Sequence, residues 1–269
     1  MNQDGHRKQG NGDSPLLQMS LLDDERHAPN GNGDSPHFRV SARARRISIR
    51  VYPDARVEVV VPSRARPREI EHFVASQREW IDAKRAQALR NQPAPEPFPP
   101  AFVEFLATGE RWRVHVAGGT GRIRVLERGT AMDPFRVLEI RGAMTDRGAR
   151  LALRNWLKRA AMQRLGPRVD AWAASSGVRH SKVEIRRQRS RWGSCSVRGT
   201  ISLNLCLLFQ RPEIVDYLVI HELMHVKHMN HSPRFWAAVE KHCADWRALD
   251  RELVQGWRHV PRWVFSEAN

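Results

Sequence analysis

His221-Glu222-Leu223-Met224-His225, with His231 six residues further on, is the stretch from which the rest of this 269-residue chain can be read. In an α-helix, residues four apart stack on one face, so His221 and His225 can aim both imidazoles at one point. Glu222 lies beside them, where its carboxylate can take a proton from water acidified by a metal ion. With 12 His in the chain, chance supplies an HExxH in about 3% of such sequences, and one followed by this extra His in about one in a thousand. The flanks support a helix. Pro212 suits a first helical position, and Ile214, Val215, Leu218, Val219, Ile220 and Met224 make it a largely buried rod.

A third metal ligand must come from nearby. His228 lies almost on the same helical face, but His221 to His228 spans roughly 10 Å along a helix, too far for convergence on one ion. Asn230 tolerates the left-handed backbone that ends a helix, and Ser232 and Pro233 read as the N-cap and first position of the next one. His231 therefore sits on a corner that can fold back over the ion. Glu240, on the following helix, is the alternative ligand. Cys195 stays open as a thiolate ligand supplied from upstream.

The run Arg191-Trp192-Gly193-Ser194-Cys195-Ser196, then Gly199-Thr200-Ile201 and Leu203-Asn204, then Val215-Asp216-Tyr217 leading into the histidine motif, and Asn230-His231-Ser232 with Phe235-Trp236, resembles the YgjP-like zinc metallopeptidases. That family is related to the SprT-like and WLM proteases. The resemblance covers about residues 38–260. It implies a single-zinc peptidase with His221, His225 and His231 as ligands and Glu222 as catalytic acid/base. The histidine spacing also equals the metzincin pattern, but the glycine position of that pattern holds His228 here.

Length and composition are those of a globular protein, with 41% hydrophobic and 28% charged residues. Residues 1–37 are rich in Gly, Asn, Asp and Ser and read as a disordered tail. A secretory leader needs a continuous apolar stretch, where the first 20 residues offer only Leu16-Leu17. No window reaches the run of about 18 apolar residues that a membrane span needs, so a cytoplasmic protein is expected. Cys195, Cys206 and Cys243 form no CxxC pair and read as buried small hydrophobes in a reducing compartment.

The net charge of +16 is unevenly spread: the tail carries −3, and residues 141–198 carry +12 from fifteen basic and three acidic side chains. Arg147, Arg150, Arg154 and Lys158 recur at i+3 or i+4 and form a basic stripe, a candidate nucleic-acid contact. The related SprT-like and WLM proteases act on protein attached to DNA, which raises the same role here. An arginine-rich solvated surface set by genome composition explains the charge equally well.

Along the chain, residues 46–52 and 56–61 read as a hairpin around Pro53-Asp54, followed by a helix from Pro67 to Arg90. A proline-rich linker occupies 91–100. Segments 111–117, 122–127 and 136–141 look like strands that continue the N-terminal sheet. A helix from about Asp146 should break or kink at Gly166-Pro167 before a second stretch ending near Gly177, with Leu153, Leu157, Ala160, Ala161 and Leu165 as its apolar face. Strands at 182–188 and 200–206 precede the histidine helix. The strand from Thr200 to Cys206 is placed to receive an extended substrate at its edge, with Asn204 or nearby backbone fixing it, or to be a core strand with Ile201, Leu203 and Leu205 inward. Arg191 and Tyr217 are candidate oxyanion donors. Trp192 and Trp236 are assigned to packing.

The resulting expectation is an α+β chain: a disordered tail (1–37), a β-rich lobe with one long helix (38–142), and a zincin-like catalytic lobe (143–269) in which the HExxH helix packs on a sheet. Residues 38–269 read equally as one compact domain. The expected chemistry is peptide hydrolysis with one zinc per chain, acting on a peptide or protein substrate. A zinc amidase acting on a non-protein amide is the alternative enzyme. A nucleic-acid-binding protein with a structural zinc is the alternative outside enzymes, and the presence of Glu222 argues against it, because a structural site needs ligands and no base.

Overall fold

The computed structural model describes residues 36–266 apart from residues 53, 92–96 and 130–135. The expected tail thus lies almost wholly outside the described residues, and His37 already belongs to a strand. The class is α+β. Three small sheets are present among the described residues. The first holds β1 (His37–Ser41), β2 (Ser48–Val51) and β3 (Val57–Pro62), with β3, buried from Val57 to Val61, central, parallel to β1 and antiparallel to β2. The expected hairpin is therefore there. The long helix that should follow is two: α1 (Pro67–Ser76) and α2 (Arg78–Arg90), separated at Gln77. Pro67 occupies the first turn of α1, and Glu69 accepts from the Arg66 backbone amide at 3.1 Å, the back half of a capping box.

The second sheet corrects the expected continuous one. β4 (Phe102–Phe105), β5 (Glu110–Gly118), β6 (Arg124–Arg128) and β7 (Arg136–Arg141) pair in the order β4-β5-β7-β6 and share no pairing with β1–β3. Period-2 patterning shows that a segment is a strand, but partner choice depends on contacts remote in sequence. Phe105 of β4 stacks on Trp156, and Trp112 of β5 meets the same ring edge-on, so this sheet is seated on the next helix.

That helix, α3 (Asp146–Ser176), runs through Pro167 without ending. Thr145 caps it by accepting from the Gly148 amide at 3.1 Å, and Gly177 closes it in the left-handed conformation. The end near Gly177 is as expected, and of the two outcomes expected at Pro167 the break does not occur, for an energetic reason. A proline inside a helix costs about 3 kcal/mol, whereas the buried stripe continues past it through Val169 and Ala173. Each large apolar side chain buried there returns roughly 1.5–3 kcal/mol.

The third sheet carries the histidine motif's neighbour. β8 (Lys182–Arg186) lies parallel to β10 (Thr200–Asn204), and β9 (Gly193–Cys195), unexpected from sequence, lies antiparallel on its other side. β10 is thus central and its paired edges are occupied, which corrects the expectation that it receives a substrate strand. Ile201 and Leu203 are fully buried, as the core-strand reading required. A short 3-10 turn, Leu205–Phe209, leads to α4 (Pro212–Met224), followed by α5 (Pro233–His242) and α6 (Trp246–Gln255).

One buried core runs from Val103 to Val264 and so crosses the boundary expected near residue 142. Residues of β1–β3, α1 and α2 do not contribute to it. Helix α4 is clamped within this core: the Arg168 guanidinium holds both Asp216 carboxylate oxygens, at 2.5 and 2.7 Å, and the Pro212 carbonyl at 3.0 Å. Trp172 donates to the same carboxylate at 2.6 Å. The pairing with Asp216 raises the Arg168 pKa, and the clamp fixes the rotation of α4 against α3.

Candidate metal centre

Nearly every side chain of α4 is buried, from Ile214 to Met224 apart from Asp216, so the helix is a rod inside the core rather than a surface element. His221 lies in its last turn and His225 is its C-cap. The chain then turns through residues 225–227, and Ser232 and Pro233 begin α5 at the N-cap and first-turn positions expected of them, the Ser232 side chain making no cap hydrogen bond. Asn230 has no positive φ, so the corner is made without the left-handed residue expected there.

This corner brings three imidazoles together. The Nε2 atoms of His221, His225 and His231 stand 3.2, 3.1 and 3.1 Å apart, and these three are the group of ligand-type side chains assembled among the described residues. Three corners of a tetrahedron with metal–nitrogen bonds of about 2.05 Å require separations of about 3.3 Å, so the donor set fits a small divalent cation. Burial lowers the pKa of each imidazole, His231 to about 4. Metal ligands must be neutral, and burial favours that form in all three. His225 Nδ1–H donates to the His228 carbonyl at 3.0 Å, which leaves its Nε2 lone pair facing the cluster. His228 thus acts through its backbone oxygen.

Phe235, with no exposed surface, forms the floor of the cluster: its ring centroid lies 5.0, 4.4 and 4.8 Å from those of His221, His225 and His231. Trp236 stacks on His231 and, on its other side, on Trp246. The expectation that Trp236 packs is met, and what it packs against is the third histidine.

Tyr217 lies one turn before His221 and is fully buried. Its hydroxyl donates to Asp250 Oδ1 at 2.7 Å, which leaves the oxygen to accept from His221 Nδ1–H, 3.5 Å away. Burial first and the Asp250 carboxylate second hold the phenol pKa well above its ordinary value, so the proton stays on. The structure therefore corrects the oxyanion role suggested for Tyr217. Its donor is spent, and it sits on the Nδ1 side of His221, away from the Nε2 cluster. Asp250, 33 residues downstream of Tyr217, went unnoticed in the sequence and carries no local signal there.

Glu222 is 4% exposed and points at β9. A Cβ built on Gly193 would lie 2.6 Å from Glu222 Oε1 and 2.9 Å from its Cγ, so only glycine lets this strand approach so closely. Burial pushes the Glu222 carboxyl up to about 8, opposed by a smaller pull from Arg191. Of the suggested oxyanion donors, then, Arg191 is the one near the acid. Cys195 flanks Glu222, whose charge adds to burial in raising its thiol to about 12. That thiol is not part of the histidine cluster and is not held as a thiolate. Glu240 pairs with Arg247 at 2.9 Å on the surface and is not part of the cluster either. Of the three cysteines only Cys206 is fully buried.

Asn204 is also corrected. It has no exposed surface, its amide donates to the carbonyls of Gln188 and Arg191 at 2.8 and 2.5 Å, and its oxygen accepts from the Cys206 amide. Its two donors shape the β8–β9 loop and its oxygen the turn after β10, and with no exposed surface the side chain does not reach a substrate. The basic stripe is dismantled as well. Arg150 lies over the Phe98 ring and donates to Ser266 Oγ, and Arg154 donates to the Ser266 carbonyl. Both bind the C-terminal segment to α3, so only Arg147 and Lys158 of the four are exposed. No helix among the described residues is long and apolar enough to cross a membrane.

Comparison with solved structures finds similarity to two metallopeptidase zymogens. Pyrococcus abyssi abylysin is 26% identical, with 34% of this chain and 90% of that chain covered at a TM-score of 0.31. Methanocaldococcus jannaschii jannalysin is 21% identical, with 34% of this chain and 88% of that one covered at a TM-score of 0.31. No curated protein matches. The family model described as "YgjP-like, metallopeptidase domain" matches residues 45–255, a span that holds the buried histidine cluster, Glu222 and the strand beside it, and the chain belongs to this family of peptide-bond hydrolases.

Proposed function

We propose that the chain is a single-zinc peptidase in which His221, His225 and His231 hold the metal and Glu222 is the general base. The observation that carries this reading is the set of Nε2 atoms 3.1–3.2 Å apart with a buried carboxyl on the residue next to one of them. A bound zinc would supply a Lewis acid for the scissile carbonyl and lower the pKa of water to about 7. Glu222 takes the proton of the attacking water and delivers it to the leaving amine, and its buried position keeps that proton from bulk solvent. Arg191, whose charge acts on Glu222, is the donor we assign to stabilising developing negative charge. Tyr217, held by Asp250, orients His221. β9 pairs only with β10 among the described residues. Its outer edge, with Gly193 against Glu222, is the place for an extended substrate to add as a strand, the role first given to β10.

Two variants test this. Zinc measured by elemental analysis should be about one per chain and be lost on His231→Ala, whereas Glu222→Gln should keep zinc and lose nearly all hydrolysis of a casein substrate. Full zinc retention by His231→Ala, or full activity of Glu222→Gln, refutes the assignment.

A further inference from the structure

A groove of about 1230 Å³ runs along β8 and across one face of the third sheet as far as Ser194 of β9. Seven consecutive residues, Lys182 to Gln188, line it, so the groove borders the backbone of β8 and not merely one face of it. From that edge it spreads over the hydroxyl-bearing face of the sheet, where Ser194, Thr200 and Ser202 sit, and on the other side reaches Lys158 and Met162 of α3. β8 is an edge strand, and among the described residues its only strand partner is β10. Its outward amide and carbonyl groups therefore repeat along the groove at the spacing of a strand, ready to pair.

The walls are cationic. Arg43, Lys158, Lys182, Arg186, Arg187 and Arg191 line the groove against one carboxylate, Glu184. Glu184 is shared between Lys182 and Arg186, each at 2.5 Å, and these two cations are 61% and 54% exposed, so both face solvent and one carboxylate between them leaves a net positive charge. A ligand for this groove must be extended, must offer alternating amides and carbonyls, and must carry negative charge. A polypeptide rich in Asp and Glu does all three. A nucleic-acid strand supplies only the charge and leaves the edge of β8 unpaired.

We propose that this groove docks an extended acidic segment of the substrate protein, which adds to β8 as a fourth strand while β9, at the other edge, presents the bond to be cut. The word substrate rests on the peptidase reading above; the docking does not, because it needs neither the histidine cluster nor Glu222, and Arg191, which lines the groove as well, is left unchanged in the test.

The test is fluorescence anisotropy on the full-length protein with a labelled decapeptide of alternating Glu and Thr. Compared with it are the same peptide N-methylated on either alternate set of amides, an alternating Lys-Thr decapeptide, and a single-stranded DNA decamer. Expected is binding of the acidic peptide that weakens at least tenfold from low to high salt. It should be lost with one N-methyl series and kept with the other, and be at least tenfold weaker in Lys158→Glu/Lys182→Glu, two exposed positions. Absence of acidic-peptide binding, equal binding of both N-methyl series, tighter binding of the DNA, or unchanged binding by the double variant overturns the proposal. Binding by a protein that hydrolyses nothing would refute the peptidase assignment alone, and hydrolysis without peptide binding would refute the docking alone.

Discussion

Replacing Tyr217 by Phe removes one oxygen from the centre of the protein and leaves the ring in place, which makes it the sharpest probe of how the histidine cluster is held. Tyr217 has no exposed surface and Asp250 is 1% exposed, so neither group can turn to water when the bond between them is lost. A hydrogen bond to a carboxylate is worth about 1.5–3 kcal/mol, and the burial of both groups places the cost in that range rather than below it. For a chain of this size each kcal/mol lowers Tm by about 2–4 °C, so a fall of about 3–12 °C is expected in the metal-free protein, read by circular dichroism. The second effect is on the metal. The Tyr217 oxygen is the acceptor 3.5 Å from His221 Nδ1, and without it the ring loses the contact that sets its orientation and tautomer. Loss of such outer partners weakens metal binding by about 10–100-fold, measurable by competition with a chelator. Tyr217→Phe with Tm within about 1 °C of the parent and with the same zinc affinity would show that Asp250 and Tyr217 only pack near the site.

Gly193→Ala should retain zinc yet lose at least about tenfold in turnover, because the new Cβ displaces Glu222, which has little room to move; full activity would show that the strand gives way instead. Phe235→Ala removes the floor of the cluster and should cost about 3–5 kcal/mol in urea unfolding; a loss below about 1 kcal/mol would mean that the cavity collapses. The Glu222 carboxyl has its folded pKa raised from 4.5 to about 8, so its stabilising term is full below 4.5 and is lost as pH rises through 8. Metal-free parent compared with metal-free Glu222→Gln should thus lose relative stability by a few kcal/mol between those pH values. A constant difference across that window would contradict the buried, neutral acid.

Much of the centre could be read from one line of sequence because its geometry is local. His221 and His225 share a face through the helical period, and His231 follows from the Ser232-Pro233 start of the next helix. The stripe of α3 from Leu153 to Leu165 was readable for the same reason. What misled was also local. Pro167 reads as a helix break until packing on both sides of it is counted, and the Arg150–Lys158 spacing reads as a free basic stripe until Ser266 is found against Arg150 and Arg154. β9 is three residues long, with no strand pattern of its own, and exists because Ser194 meets Ser202 across the sheet.

The residue types and spacing along the chain thus brought out the three histidines that the fold assembles, the glutamate beside them and the mixed α+β class, since each depends on backbone periods of a few residues. Tertiary structure alone decided that β9 rather than β10 borders the acid, that Asn204 is spent on loop carbonyls, and that Tyr217 serves His221 from behind with Asp250. It alone also opened the edge of β8 onto a cationic groove. The reason is physical: hydrogen bonds and burial depend on distance in space, and 33 residues separate Tyr217 from the carboxylate 2.7 Å from its hydroxyl, a separation over which no periodicity in the sequence carries information.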